Sequence, residues 1–321
     1  MKIKFWGVRG SIATPLKGDA VLNKIRRALQ YASPADILDS ASIERFIKSL
    51  PFSLRETYGG NTTCIEVRTK NNDLIIMDAG TGIRELGSEL IAGDFGKGIG
   101  ECAMIFTHTH WDHIQGIPFF GPFYIPGNKF HIHGIVENLE QRLRYQNNLL
   151  HFPIEFDQMM SEKFFYQHEE KEKWRLYGTN ITQKILRHPG GSYSFRLEED
   201  GKTFILATDA EFKIEDMDEI EEYLDFFQGA DVLVFDTQYT FEEHLHKIDW
   251  GHSSASIATD IAMKSDVKKL ILFHHDPAYD DGKLDEVYMR ALRYKEIMEQ
   301  HKTSSMDMDI LIANEGLELE L

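Results

Sequence analysis

Three histidines and one aspartate stand close together within residues 107–113, directly after an apolar run. His108 and His110 are two positions apart, so on an extended chain their side chains face the same way and can bind one ion. Asp112 and His113 follow on the next turn and can reach a second ion. Imidazole and carboxylate ligands together suit Zn²⁺, with Mn²⁺ or Fe²⁺ as the other options. The segment therefore predicts a site for two divalent metal ions.

One segment offers too few ligands for two ions, so other ligands must come from elsewhere in the chain. His188, Asp209 and His274 each close a short apolar run. A carboxylate at Asp209 can bridge two cations with its two oxygens. Any one of these residues alone reads as an ordinary polar strand end. Together with the first cluster they are predicted as the remaining metal ligands.

The elements around these residues alternate between short apolar strands and amphipathic helices, which is typical of a layered α/β protein. Most of the predicted strands end in a polar or ionisable residue, which places chemistry on loops at the ends of a rigid sheet. The clearest strand candidates are residues 3–8, 63–69, 73–78, 102–107, 129–133, 193–198, 203–208, 231–236 and 269–274. The clearest helix candidates are residues 19–32, 41–50, 82–91, 136–148, 255–264 and 285–300.

Composition favours a single globular domain. The chain has 321 residues, of which 42% are hydrophobic, and Cys64 and Cys102 are expected to be buried thiols rather than a disulfide framework. Residues 16–57 and 121–184 look like helical insertions that form a lid, an oligomer contact or surface decoration. A homodimer is one option, with residues 16–57 as the contact. An N-terminal strand without a signal-peptide core, and no long apolar run, predict a cytoplasmic protein that does not enter a membrane.

Charge narrows the class of substrate. The chain carries 35 Lys and Arg against 52 Asp and Glu, a formal net charge of −17. This surface repels a polyphosphate backbone, so long RNA or DNA is a disfavoured partner. A small anionic substrate remains possible because bound metal ions supply local positive charge.

The motifs resemble those of the metallo-β-lactamase superfamily over nearly the whole chain. Asp78, in the Asp-Ala-Gly-Thr-Gly segment 78–82, matches its first motif, residues 108–113 its second, and the strand-end residues above its third to fifth. The resemblance implies an αββα sandwich with the metals at one edge. It assigns one ion to His108, His110 and His188, the other to Asp112, His113 and His274, and a bridging role to Asp209, while Asp78 organises the metal loop.

Two departures within the superfamily restrict the chemistry further. Asp209 stands where the common zinc β-lactamases carry Cys, and His110 stands where flavodiiron proteins carry Glu. These differences argue against lactam hydrolysis and against the redox branch.

Other motifs resemble the phosphodiesterase branch. Residues 250–255 are similar to the Gly-His-Ser-Thr segment of ribonuclease Z, in which the histidine donates a proton, and residues 270–277 resemble the last ligand motif of that family. Residues 7–11 and 59–63 are similar to stretches in cyclic-nucleotide phosphodiesterases and in phosphoribosyl cyclic phosphodiesterase. The resemblance makes His252 the general acid, with Asp236 or Glu211 orienting its ring. Asp112 and Asp209 then serve both as metal ligands and as catalytic residues.

The remaining candidates carry weaker signals. Possible contacts to phosphate or base are Arg9, Ser11, Asn61, Thr62 and His275, although His275 is better explained as a support of the metal ligands. Trp111 is expected to pack against the protein, and the pair His244 and His246 to be exposed. No companion ligands accompany the other histidines, which are expected to be structural: His131, His133, His151, His168 and His301.

The leading hypothesis is a phosphodiesterase that uses a hydroxide bound by two metals to cleave a small cyclic phosphodiester, with 3′,5′-cyclic nucleotides first among the candidates. The resemblance leaves two alternatives open. One is an endonuclease like ribonuclease Z that processes the 3′ ends of tRNA precursors. The other is a sensor that binds a nucleotide at the metals without cleaving it.

Overall fold

The strands form two facing sheets in the computed structural model, which describes residues 1–213, 217–300 and 308–321. Within these residues each sheet has seven strands. The first sheet contains β1 Lys2–Gly7, β2 Cys64–Arg68, β3 Leu74–Met77, β4 Glu101–Phe106, β5 Lys129–Gly134, β6 Glu162–Gln167 and β14 Glu318–Glu320. The second contains β7 Trp174–Leu176, β8 Thr179–Leu186, β9 Ser192–Glu199, β10 Lys202–Ala207, β11 Val232–Asp236, β12 Lys269–Phe273 and β13 Asp309–Ile312.

The two sheets share a mixed topology. The first runs β14-β1-β2-β3-β4-β5-β6 and the second β13-β12-β11-β10-β9-β8-β7. In each sheet one half pairs antiparallel, whereas β3 to β6 and β10 to β13 pair in parallel. The central strands β3 and β11 are buried along their whole length. Their continuous apolar runs suit strands that are covered on both faces.

Helices join the strands, and several of them pack against the outer faces of the sheets. They are α1 Gly18–Tyr31, α2 Ser40–Ser49, α3 Phe52–Arg55, α4 Ile83–Ile91, α5 Trp111–Ile114, α6 Leu139–Gln146, α7 Met217–Phe227, α8 Phe241–His246, α9 Ala255–Lys264 and α10 Asp281–Gln300. Short 3₁₀ turns lie at Pro34–Ile37, Asp94–Lys97, Ile117–Phe119, Gly121–Tyr124 and Phe156–Gln158. None of the helices in the described part of the chain combines the length and hydropathy needed to cross a membrane.

Three hydrophobic clusters fill the space between these layers. One joins the inner faces of the two sheets, for example Phe5 with Phe273. A second lies between the second sheet and helices α9 and α10, and a third between the first sheet and α4. This is the predicted αββα arrangement. Cys64 and Cys102 are buried, free thiols, as predicted.

The two predicted insertions differ in structure. Residues 16–57 contain helices and turns and contribute no strand. Residues 121–184 supply β5, at the position of the predicted strand 129–133, and β6 to the first sheet, and β7 with most of β8 to the second, so much of this segment belongs to the sheets rather than to a helical insertion. The half-exposed residues of β6 alternate weakly, which hid this strand from the periodicity analysis.

Candidate metal centre

The predicted ligands, together with Asp78, come from the ends of five strands at one edge of the sandwich. Asp78 follows β3, the 107–113 loop follows β4, His188 lies two residues beyond β8, Asp209 two residues beyond β10, and His274 follows β12. The carboxyl ends of neighbouring parallel strands point to the same edge of a sheet, which is where such folds place their sites. The structure therefore brings together residues that are far apart in the sequence.

The first ligand group contains His108, His110, His188 and Asp209, whose candidate ligand atoms all lie within 4.8 Å of one another. The Nδ1 atom of His110 is 3.0 Å from the Nε2 atom of His188. Asp209 Oδ1 is 3.6 Å from His188 Nε2 and 3.7 Å from His108 Nε2. These spacings suit a tetrahedral ion bound by imidazole and carboxylate.

The second ligand group contains Asp112, His113, Asp209 and His274, again within 4.8 Å of one another. His113 Nε2 lies 3.1 Å from Asp209 Oδ2 and 3.3 Å from Asp112 Oδ2. His274 Nε2 lies 3.2 Å from Asp112 Oδ2 and 3.3 Å from Asp209 Oδ2. Asp209 thus presents Oδ1 to the first group and Oδ2 to the second, which is the placement a bridging carboxylate requires.

The donor atoms themselves fit divalent ions. The Nε2 atoms of His108 and His113 are buried without a hydrogen-bond partner. An orphaned buried nitrogen is costly unless something binds it. Ions held by the two groups would satisfy these nitrogens and neutralise the carboxylates of Asp112 and Asp209. The residues present therefore fit a divalent cation.

The charges around His113 support the same conclusion. Burial alone lowers the pKa of His113, but the carboxylates of Asp209, Asp112 and Asp78 raise it well above its usual value. Burial of Asp112 and Asp209 would raise their pKa values, yet the neighbouring histidines hold both well below the usual range. The three carboxylates therefore favour positive charge at this position, which a divalent cation can supply.

Asp78 contacts the loop that carries the candidate ligands. Its carboxylate accepts hydrogen bonds from the backbone N–H and the hydroxyl of Thr107, at 2.8 and 2.7 Å, and contacts His113 Nδ1 at 2.8 Å. The contact leaves His113 Nε2 directed at the second ligand group. Asp78 is itself outside both groups.

Three further contacts hold ligands in place. Gln238 Oε1 lies 3.0 Å from His274 Nδ1, the carbonyl of Gly251 lies 2.9 Å from His188 Nδ1, and the backbone N–H of Ser11 donates to Asp112 Oδ2 at 2.7 Å. Such partners fix ring orientation at metal sites. Sequence analysis missed Gln238, although its position two residues beyond β11 follows the strand-end rule that identified the ligands.

His252 lies beside both ligand groups. Its ring centroid is 5.2 Å from that of His188 and 5.1 Å from that of His274, and its Nδ1 atom is 2.7 Å from Asp236 Oδ2. Burial lowers the pKa of His252, but the Asp236 carboxylate outweighs this and raises the pKa to about 9. Bound cations would oppose that rise. Asp236 is therefore the orienting partner, because Glu211 instead accepts the backbone N–H groups of Asp249 and Gly251.

Most of the side chains predicted to contact substrate form hydrogen bonds within the protein instead. The buried guanidinium of Arg9 donates to the carbonyls of Gly59, Asp276 and Tyr279. The side chain of Asn61 binds Glu315 at 3.1 Å. The structure therefore contradicts a substrate-binding role for these two side chains.

Thr62 and His275 are occupied in the same way. The hydroxyl of buried Thr62 accepts from the Thr81 backbone and from Gln115, and His275 Nε2 contacts the carbonyl of Ala313 at 2.8 Å. Neither side chain is available to substrate. Among the predicted contacts, Ser11 alone has an exposed position beside the metal groups.

The predictions for Trp111 and for the histidines outside the ligand groups have mixed outcomes. Trp111 was expected to pack, but it is 80% exposed. His246 is exposed as predicted, whereas His244 is buried against the His252 carbonyl at 3.1 Å, so the prediction of an exposed pair is wrong for it. His133 and His168 stack with Trp174, His131 bonds Glu101 and Tyr166, and His151 is exposed. His301 lies outside the described residues.

Comparison with known proteins identifies relatives for this fold and site. Residues 74–275 match the family model described as a beta-lactamase superfamily domain. A ribonuclease Z from Exiguobacterium sibiricum is 29% identical over 228 residues, which cover 56% of this chain and 72% of that protein.

Solved structures share the architecture at lower identity. The metallo-beta-lactamase fold protein YhfI from Bacillus subtilis has a TM-score of 0.64 at 15% identity, covering 99% of this chain and 98% of that one. Unliganded yeast PDE1 has a TM-score of 0.62 at 15% identity, covering 100% and 99%. At these identities the likeness establishes the fold alone.

Proposed function

Since the chain belongs to the metallo-β-lactamase superfamily, we propose that it is a metal-dependent phosphodiesterase acting on a small nucleotide phosphodiester, with 3′,5′-cyclic nucleotides as the first candidates. The observation that carries this proposal is the position of His252. Its Nδ1 atom is held by Asp236 at 2.7 Å, which leaves Nε2 as the nitrogen that can give a proton to a leaving oxygen.

The two ligand groups would each hold one divalent ion, with Asp209 between them. Such ions supply a water of lowered pKa as nucleophile and positive charge for the phosphate oxygens. Asp78 and Gln238 keep His113 and His274 aimed at the ions. The exposed side of the centre, where His110 reaches the surface, is the side from which a phosphodiester can approach.

The leaving oxygen of an alkyl phosphodiester departs as an alkoxide, which is a poor leaving group without a proton. His252 is next to His188 and His274, one from each ligand group, so a phosphate bound between the groups lies beside its ring. Asp236 stabilises the protonated ring and fixes its orientation, in the role of a positioning residue. The pair therefore suits general acid catalysis.

A small substrate fits the charge of the protein. The formal net charge of −17 opposes binding of a polyanion, whereas a phosphodiester with one negative charge needs only the local charge of the ions. Relatives named ribonuclease Z support phosphodiester cleavage as the reaction class. The resemblance of residues 250–255 to the proton-donor segment of that family supports the same class.

The test is a substrate panel. Protein loaded with Zn²⁺ or with Mn²⁺ is incubated with cyclic AMP, cyclic GMP and bis(p-nitrophenyl) phosphate, and the products are separated by chromatography. We expect turnover of at least one phosphodiester, lost after chelation and restored by metal. No turnover of any phosphodiester by metal-loaded protein would refute the proposal, and tight nucleotide binding without turnover would favour the sensor.

A second candidate is cleavage of tRNA precursors, which the name of the ribonuclease Z relatives favours. Net charge counts against it. Cleavage at the 3′ end of a precursor tRNA, with an affinity that falls steeply as salt rises, would support this candidate over a small substrate.

A further inference from the structure

A large cavity lies beside the metal loop and has no role in the chemistry described above. Its volume is about 1100 Å³, which is ample for a nucleotide-sized ligand. It is formed between the segment that begins with α5 and the segment that begins with α6. The two segments follow the neighbouring strands β4 and β5 of the first sheet.

The metal loop itself forms one wall. Thr109 and Trp111, the neighbours of His110 in sequence, both line the cavity. His110 is the exposed member of the first ligand group. The guanidinium of Arg142 donates to the hydroxyl of Thr109 at 2.9 Å, which ties α6 to the loop. A group attached to a phosphate at the metal centre can therefore extend over this wall into the cavity.

The lining is aromatic and unusually open. Trp111, Tyr145 and Phe119 are 80%, 68% and 57% exposed, and Phe119 packs edge-on against Phe152 with their ring centroids 5.5 Å apart. Exposed aromatic faces of this kind stack on planar heterocycles. Single exposed aromatics are ordinary on a protein surface, but several around one cavity indicate a binding site.

The polar groups of the cavity complement a base rather than a simple apolar ligand. Gln146 also lines it, and its Oε1 atom is buried without a hydrogen-bond partner while its Nε2 donates to the carbonyl of Ile114. A free amide oxygen can accept an N–H of a heterocycle. No carboxylate is among the described residues that line the cavity, in a chain with a net charge of −17, so an anionic nucleotide meets no local repulsion there.

We propose that this cavity binds the nucleobase of a nucleotide whose phosphodiester is held at the metal centre. The inference rests on the proposed function, because it assumes that a phosphodiester occupies the metals. It adds the place at which the base of such a substrate binds, between the metal loop and the segment that begins with α6. Trp111 and Tyr145 supply stacking faces, and Gln146 supplies an acceptor.

The experiment compares two esters with the same leaving group. Thymidine 5′-(p-nitrophenyl phosphate) and methyl p-nitrophenyl phosphate both release p-nitrophenolate, and they differ in that only the first carries a nucleoside. We expect the wild type to prefer the thymidine ester in kcat/KM. In Tyr145→Ala, kcat/KM for the thymidine ester falls about tenfold, as expected for loss of one stacking face, and the value for the methyl ester is unchanged.

The matched control is Leu149→Ala, an exposed residue of the same segment that does not line the cavity. It should leave both esters unaffected. An equal fall for both esters in Tyr145→Ala, or no fall for either, would overturn the inference. The unchanged methyl ester reports that the variants are folded.

Failure of the proposed function would be seen separately, as a wild type that hydrolyses neither ester. Calorimetric binding of AMP would then still decide the role of the cavity. Binding that weakens about tenfold in Tyr145→Ala supports the inference, and binding that is absent from the wild type or identical in the variant refutes it.

Discussion

Replacement of His252 by alanine should slow the enzyme selectively, according to how much its leaving group needs a proton. His252 is buried between ligands of both groups, and Asp236 holds its Nδ1 atom at 2.7 Å. The substitution removes the donor but leaves every residue of the two ligand groups in place. Loss of a proton donor lowers the rate of hydrolysis more when the leaving oxygen is more basic.

The expected magnitude follows from that role. A positioned general acid contributes about 10²–10⁴-fold, or about 3–6 kcal/mol at 1.4 kcal/mol for each factor of ten. In cyclic AMP the leaving oxygen departs as an alkoxide, so hydrolysis of this substrate should show the full loss in kcat. A p-nitrophenyl ester releases a stable phenolate, which gains little from protonation. Its kcat should therefore fall less than about tenfold.

The assay measures kcat for both substrates in wild type, His252→Ala and the control His246→Ala, with metal content determined by mass spectrometry on the same samples. His246 is an exposed histidine of α8 and should be silent. Equal losses for the two substrates would refute a proton-donor role. Loss of metal would instead assign His252 to the ligands, since Asp236, His252 and His274 offer atoms within 4.8 Å of one another.

Other perturbations test the ligands and their supports. Chelation should remove two ions per chain and all activity, and metal analysis of Asp209→Ala should find fewer than two, because Asp209 faces both groups. Gly10→Ala would place a Cβ 2.5 Å from the His274 ring and should weaken metal binding about 10–100-fold in a competition titration. The control is Gly18→Ala, whose Cβ would have no atom within 4 Å and which should bind metal normally. Equal metal affinities of the two variants would contradict this packing argument. Burial, with His168 and His131, lowers the pKa of His133 to about 3, so the unfolded chain binds a proton below about pH 6.5 that the folded chain does not, and stability falls as pH falls. When the pH falls from 7 to 5, the free energy of unfolding measured with urea should therefore fall by about 2 kcal/mol less in His133→Phe than in wild type. An equal fall in both proteins would refute this.

The main strands and the strand-end positions of the candidate ligands were predictable from the sequence because both depend on local patterns. Strands β3, β4, β10, β11 and β12 are apolar runs with a polar end, and the structure has each of them within one or two residues of the prediction. The short edge strand β7 and the half-exposed β6 carry no such pattern. Propensity and period identify a buried strand well and an edge strand poorly.

The substrate contacts were not predictable, because they depend on which partner a side chain finds far along the chain. Arg9 looks free in its Gly-Val-Arg-Gly segment, yet its guanidinium meets carbonyls of Asp276 and Tyr279 that are more than 260 positions away. For Trp111 the error is the reverse. Its neighbours His110 and Asp112 suggested a packed side chain, but the ring is exposed and lines a cavity. A residue type and its spacing state what a side chain can do, and only the tertiary arrangement states whether it is free to do so.

The backbone at the ligand positions explains why strand ends make this site at all. Left-handed φ values of 59° and 62° occur at Asp78 and His274, directly after β3 and β12, and a value of 56° occurs at Asp209, two residues beyond β10. A side chain in this conformation leaves the alternation of the strand and turns toward the neighbouring strand end. For residues other than glycine such a conformation costs about 1–3 kcal/mol, and it persists where the surrounding contacts determine it. Here the Asp78 contacts to Thr107 and the Gln238 contact to His274 do so. The same contacts that aim the ligands therefore also hold the backbone, so the support residues and the ligands form one cooperative unit.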